Sequence, residues 1–391
     1  MDGTPAPEGV RKACSAQSSG DRAVAEIHAA IGGSDNSCVV FFCSADHDLP
    51  SVGAAMAKHF GDTLVVGCST AGEITPEGYG RRSLTAIALP RRTFAAVALP
   101  IDNVSTFDLT ESPALVSEAR ARLARLAPFP TDGNCFAFLL IDGLSRREEW
   151  VVSALSLVLD NIQLFGGSAG DQLRFNRTHI YLDGAFRPDA AVLLLVATLC
   201  PFTVFRTEHF VSTDRKMVVT GAEPTERIVT EINGEPAGRE YARMVGLNVR
   251  HLAPMIFATY PVVVRVGGVY YVRSIQKVNA DQSLTFFCAI DEGIVLTVAQ
   301  GTDIVDNLKA ALADIRRQVG PPQVIIGCDC ILRRLEIERK RLVAPMSALL
   351  AANNVVGFNT YGEQHNAMHV NQTLTGVAIG WPTHAEHATP H

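Results

Sequence analysis

The chain is 391 residues long, 47% hydrophobic and 19% charged, with a formal net charge of -6 at pH 7. That length favours two cores over one, and the composition is that of a globular protein with ample apolar material to bury. A net negative chain is no general nucleic-acid or anionic-membrane binder, since both partners need a basic face.

Residues 1–22 carry Pro, Gly and Ser without an apolar signal-peptide core and read as a flexible leader. Beyond them one pattern recurs. The apolar strand Cys38-Val39-Val40-Phe41-Phe42, a helix over residues 52–60 and the strand Leu64-Val65-Val66 lead into Gly67-Cys68-Ser69-Thr70-Ala71-Gly72-Glu73. A strand over residues 135–141, a helix over 147–159 and Gln163-Leu164-Phe165 lead into Gly166-Gly167-Ser168-Ala169-Gly170-Asp171. The third passage runs from Val324-Ile325-Ile326 through a helix around 335–350 to Val355-Val356, then Gly357-Phe358-Asn359-Thr360-Tyr361-Gly362-Glu363. Each is strand, helix, strand and a Gly-rich turn closed by an acid, a spacing that suits a β-α-β unit with a right-handed crossover.

Between the second and third passages the pattern changes. A helix is expected around residues 238–245, then an antiparallel meander over 261–266, 269–276 and 284–290. The fold class is therefore α/β with mixed α+β character. It comprises two domains of repeated β-α-β units with Gly-rich turns, plus an antiparallel meander in the C-terminal part. The stretch Thr220-Gly221-Ala222-Glu223-Pro224 marks the division, giving domains 23–222 and 223–381 with a disordered tail at 382–391. No apolar run reaches the roughly 18 residues of a membrane helix. Of nine cysteines, Cys38, Cys43, Cys135, Cys200 and Cys288 sit in apolar runs, as reduced thiols of a cytoplasmic protein do.

Turns of this kind at the ends of parallel strands are where α/β proteins hold ligands. The candidate pocket residues are Gly67, Ser69, Gly72, Glu73, Gly166, Ser168, Asp171, Thr360 and Glu363; the bland alternative is that they only shape the turns. Gly166-Gly167-Ser168-Ala169-Gly170 spells a nucleophile elbow, but the residues after it lead to a strand instead of a helix. No P-loop or dinucleotide fingerprint occurs, and Cys328-x-Cys330 lacks a second pair at zinc spacing. The pairs Arg81–Arg82, Arg91–Arg92 and Arg333–Arg334 read as solvated ends of elements. Most of the eleven histidines stand alone, but His365 and His369 lie four apart just past the third turn, with Met368 beside them. Imidazole and thioether are both axial ligands for haem iron, while a structural His at a strand start explains the pair equally well.

The strings Gly67–Ile74, Leu140-Ile141-Asp142-Gly143-Leu144 and Gly166–Asp171 resemble the FIST N-terminal domain. Glu231-Ile232-Asn233-Gly234-Glu235-Pro236-Ala237, Cys330-Ile331-Leu332-Arg333-Arg334 and Gly357–Gln364 resemble the FIST C-terminal domain. The resemblance implies a sensory, non-enzymatic protein without catalytic residues. Its partners would be a small molecule and a separate histidine kinase, or a diguanylate cyclase or phosphodiesterase of cyclic-di-GMP signalling. Assembly into a homo-oligomer is compatible with it. The end Met368-His369-Val370-Asn371-Gln372-Thr373 is similar to the NosP nitric-oxide-sensing haemoproteins. That likeness implies haem b ligated by His369, with His365 as the second choice and Met368 adjacent. A haem-free sensor of an amino acid or similar metabolite is the alternative.

Overall fold

The computed structural model describes residues 9–32, 35–108, 110 and 112–382. The expected mixed α/β class holds, with nine α-helices and four sheets among the described residues. No helix among them is long and apolar enough to cross a membrane.

Three sheets of six strands share one order. In the first, Arg11–Ser15 forms the edge, followed by Leu84–Pro90, Asn36–Ser44 and Leu64–Thr70. The second runs Phe94–Asp102, Ala190–Thr198, Cys135–Ile141, Gln163–Ser168, and the third Phe202–Thr207, Leu374–Ile379, Val324–Cys330, Val355–Thr360. In each, the last two strands named are parallel and joined through helices, whereas the flanking strands are antiparallel.

Every sheet is completed by a hairpin from a different unit. The hairpin Glu73–Thr75/Gly78–Gly80 leaves the first unit and pairs with Val355–Thr360 of the third. Ile180–Leu182/Ala185–Arg187 leaves the second unit for Leu64–Thr70, and Glu363–His365/Met368–Val370 leaves the third for Gln163–Ser168. The exchange closes a ring.

Strand alternation sorts the core. Val40 and Phe42, Phe136 and Phe138, and Ile326 and Cys328 point to a shared centre, where Phe42 stacks on Phe358 at 4.6 Å and Phe138 on Phe165 at 4.5 Å. Their neighbours Val39 and Phe41, or Leu139 and Ile141, point outward and are covered by helices. Both faces are thus buried, which is why these strands read as unbroken apolar runs.

Residues 210–301 intervene between the edge strand Phe202–Thr207 and the helix Ile304–Val319, and build an eight-stranded antiparallel sheet with its own core. Its strand Phe210–Glu223 spans the expected division near residue 222. The passage expected as one strand over 269–276 splits at Ser274 into Val269–Arg273 and Ile275–Val278, which lie at opposite ends of that sheet. A continuous meander is therefore replaced by two separated hairpins.

The leader needs correction as well. Residues 11–15 pair with Leu84–Pro90, burying Ala13 and Ser15, and a helix starts at Gly20. An edge strand draws its partners from the sheet, so Pro and Ser nearby did not betray it. Residues 1–8 and 383–391, the remaining leader and nearly all of the tail, lie outside the described residues.

Candidate functional site

The three Gly-rich turns meet at the same end of their sheets and bond to one another. Ala71 N–H donates to Asn359 O at 3.0 Å, Tyr361 N–H to Ser168 O at 3.1 Å and Gly170 N–H to Ser69 O at 3.1 Å. Return bonds run from Asn359 N–H to Gly72 O (2.7 Å) and from Ser168 N–H to Gly362 O (2.8 Å). The Ser69 hydroxyl accepts from His179 N–H and the Ser168 hydroxyl from Gln364 Nε2, each at 2.9 Å. Gly67 and Gly166 serve close strand approach: a Cβ on them would stand 2.6 Å from Phe41 O and 2.3 Å from Leu139 O.

The closing acids are equally engaged. Thr70 donates to Glu73 at 2.5 Å, and the other carboxyl oxygen accepts from Ser83 N–H (3.1 Å) and Oγ (2.8 Å). Glu363 repeats the device with Thr360 and with Thr373 N–H (3.2 Å) and Oγ1 (2.8 Å). Each acid ties the start of a hairpin to its return. Burial is the main force raising both, and Glu363 is pushed up to about 8, so it is protonated at neutral pH. Asp171 accepts instead from the N–H groups of Phe175, Asn176 and Arg177 at 2.9, 2.7 and 2.9 Å, and from the Tyr361 hydroxyl.

The hairpin after the third turn does not gather its histidines. Gln364 stands opposite His369 and His365 opposite Met368, so His369 faces one side while His365 and Met368 face the other. His365 is held down to about 4, by burial and then by Arg206. His369 is 1% exposed, and burial lowers it too. Its Nδ1 meets Gln364 Nε2 at 3.3 Å, which leaves the proton on Nε2; that nitrogen has no partner.

A haem iron needs an imidazole nitrogen with a free lone pair, whereas His369 Nε2 carries the proton in this arrangement, and the surroundings do not fit a haem either. A Cβ on Gly362 would sit 2.3 Å from His369 Cε1 and 2.7 Å from Nε2, so the main chain stands where a macrocycle would lie. The charges acting on the ring come from Glu149, Glu148, Arg227 and Arg273, whereas a haem needs apolar walls. Among the described residues no three or more His, Cys, Asp or Glu side chains are disposed to hold a metal ion.

An open cleft of about 380 Å³ lies beside the turns. Gly72, Gln172 and Asn359 bring one wall residue from each turn region, and Asp46, Arg334 and Glu338 bring charge. Gly72 is the one turn residue from the sequence-based set that lines it. Arg334 is held firmly: Nε donates to Glu338 at 2.8 Å and the guanidinium lies 4.1 Å from the Tyr79 ring centre. Tyr79 in turn donates to Asp329 at 2.6 Å, and Arg333 Nε donates to the same carboxylate at 2.8 Å. The Arg334 side chain is 7% exposed and its Nη1 is buried without a partner.

The pair Arg333–Arg334 is therefore no solvated helix end. Strand Val324–Cys330 is followed at once by helix Ile331–Arg339, and this abrupt turn drives both side chains inward. Two adjacent arginines with a glutamate four residues after the second were the available signal, and they read equally well as a surface ion pair.

Two family models match the chain, the FIST N domain over residues 37–235 and the FIST C domain over residues 237–366. No curated protein matches it. Among solved structures, the crystal structure of cyanuric acid hydrolase from A. caulinodans covers 95% of this chain and 99% of that chain, at 9% identity and a TM-score of 0.35. Likeness that distant carries no argument about activity.

Proposed function

The chain belongs to the FIST family of signal-transduction sensor domains, and from that premise we propose that it senses a small carboxylate-bearing metabolite in the cleft beside the three turns. The observation that carries this reading is Arg334, a residue that lines the cleft and whose nearly buried guanidinium leaves Nη1 without a partner. A buried donor left unpaired costs about 1–3 kcal/mol, and a carboxylate is the acceptor a guanidinium matches best. Asp46, paired with Arg82 and Arg174, and Glu338, paired with Arg81 and Arg334, lie on the same walls, so a cationic amino group on the ligand would share their oxygens and an amino acid or similar zwitterion fits both ends.

The cleft walls belong to all three units, so a ligand touching them biases the arrangement of one unit against another. The shift is bounded by the ligand's differential affinity for the two arrangements. The family premise makes the reader of that shift a separate signalling protein, such as a histidine kinase or a cyclic-di-GMP enzyme. This reading is haem-free.

Thermal unfolding in the presence of amino acids and related carboxylates tests it. A ligand at 100 times its Kd stabilises by about 2.7 kcal/mol, and Arg334→Met should weaken binding ten- to a hundredfold. Stabilisation that persists unchanged in Arg334→Met refutes the site. A nitric-oxide-responsive Soret band on adding hemin, lost in His369→Ala, would restore the haem reading instead.

A further inference from the structure

The hairpins 73–80 and 363–370 take the same place in two sheets, so Tyr79, paired with Ile74, corresponds to His369, paired with Gln364. Arg81–Arg82 then corresponds to Asn371–Gln372, and Arg82 and Gln372 share a positive φ of 54° and 52°. Beside Tyr79 lies the open cleft. Beside His369 the equivalent space is covered by the 210–301 insertion. Arg227 from the insertion donates to Glu148 at 2.7 Å and to Glu149 at 2.5 Å, at the start of helix Glu148–Leu159. Ala289 N–H donates to Glu149 at 2.6 Å.

What the insertion covers is polar and unsatisfied. His369 Nε2, both amide atoms of Asn371, Gln372 Oε1, Ser274 Oγ, and Arg273 Nε and Nη1 are buried without partners. His369, Asn371, Gln372 and Ser274 are each at most 1% exposed. His369 Nε2 and Asn371 Nδ2 lie side by side over Gly362, at 2.7 and 3.0 Å from where a Cβ on it would stand. Of the charges acting on the His369 ring, Glu149 and Glu148 come first but are paired by Arg227, and Arg273 brings the remaining cation. Buried orphans cost about 1–3 kcal/mol each, and several together approach the whole stability of a domain. An occupant must therefore satisfy them.

Their chemistry describes that occupant. His369 Nδ1 accepts from Gln364, so Nε2–H donates, alongside Asn371 Nδ2 and Arg273, which has no ion pair among the described residues. Three donors, one of them a cation, call for an oxyanion. Asn371 Oδ1 and Gln372 Oε1 are acceptors, and call for an O–H or N–H on the same molecule.

We propose that this covered cluster of unpartnered groups is a second binding site, distinct from the cleft, for a small carboxylate bearing a hydroxyl or amide donor. The carboxylate lies on Arg273, His369 and Asn371 Nδ2, and the donor reaches Asn371 Oδ1 and Gln372 Oε1. Since one wall is the insertion and the other the three-sheet core, the occupant fastens the two together.

Calorimetric titration of the full chain with glycolate, which carries both groups, and with acetate, which lacks the hydroxyl, tests the assignment. Glycolate should bind at least tenfold more tightly than acetate. Arg273→Met should weaken glycolate at least tenfold, and so should Asn371→Asp, which keeps the shape of the side chain and places a repelling charge at the oxyanion position. Repeating the titrations in the Arg334→Met background removes the cleft's own carboxylate group, and the effects of Arg273→Met and Asn371→Asp should persist there. Absence of glycolate binding to the wild-type chain overturns the proposal and leaves ordered water as the occupant. So does an affinity that Asn371→Asp leaves intact, since the bound glycolate would then lie elsewhere.

Discussion

Glu363 offers the most quantitative check, through the substitution Glu363→Gln. The carboxyl is fully buried against Thr360 and Thr373, with no cation in its bonding set, and burial pushes it up to about 8. A glutamate in the unfolded chain releases its proton near 4.3. Above that pH the folded state holds a proton that the unfolded state has lost, so stability falls as pH rises, and levels off beyond about 8. The full drop amounts to about 5 kcal/mol, with about 4 kcal/mol already lost by pH 7. Glutamine keeps the shape, accepts from Thr373 through its carbonyl and donates to the Thr360 hydroxyl through its amide. The substituted chain should match wild type near pH 4.5 and exceed it increasingly toward pH 9. Urea unfolding at pH 5, 7 and 9 reads the difference directly. A wild-type-minus-mutant difference that stays flat across this range would refute the reasoning, because it would mean the folded carboxylate is already ionised.

Arg227→Met should destabilise by about 3–5 kcal/mol in denaturant titration, since it strands Glu148 and the adjoining Glu149 without their cation. Glu148→Gln in the same background should recover part of that loss. Gly362→Ala forces a methyl against the buried His369 ring and should cost about 1–3 kcal/mol in unfolding free energy; paired with His369→Ala, which vacates the space, the penalty should shrink.

The β-α-β passages were legible because strands buried on both faces and covered by helices leave unbroken apolar runs such as Cys135-Phe136-Ala137-Phe138-Leu139-Leu140-Ile141. The edge strand Arg11–Ser15 was not, because its place rests on hydrogen bonds to Leu84–Pro90, some 70 residues away, and not on its own composition. The turns were visible as strings, but their chemistry was not. Nothing in Thr360-Tyr361-Gly362-Glu363 announces that the acid binds Thr373, or that Tyr361 N–H binds Ser168, since both partners arrive through tertiary pairing. The His365–Met368–His369 cluster suggested a haem ligand because its three potential donors stand within five residues of one another. On a hairpin with a two-residue turn the two histidines point to opposite faces. Arg334 went unrecognised because burial of an arginine is decided by the elements stacked upon it, here Tyr79 from the first unit.

The exchanged hairpins restrict how such a chain can be subdivided. A single unit taken alone would have given away the two strands that finish a neighbour's sheet and would lack the two that finish its own, leaving a naked strand edge prone to pairing with any chain at hand. Two units leave one debt open, because the lending runs in one direction only. Three copies of one unit, each passing its hairpin to the next, supply every missing hairpin, as a cyclic trimer would. The covalent chain is thus one continuous thread through an arrangement that three separate peptides would reach only by closing the circle.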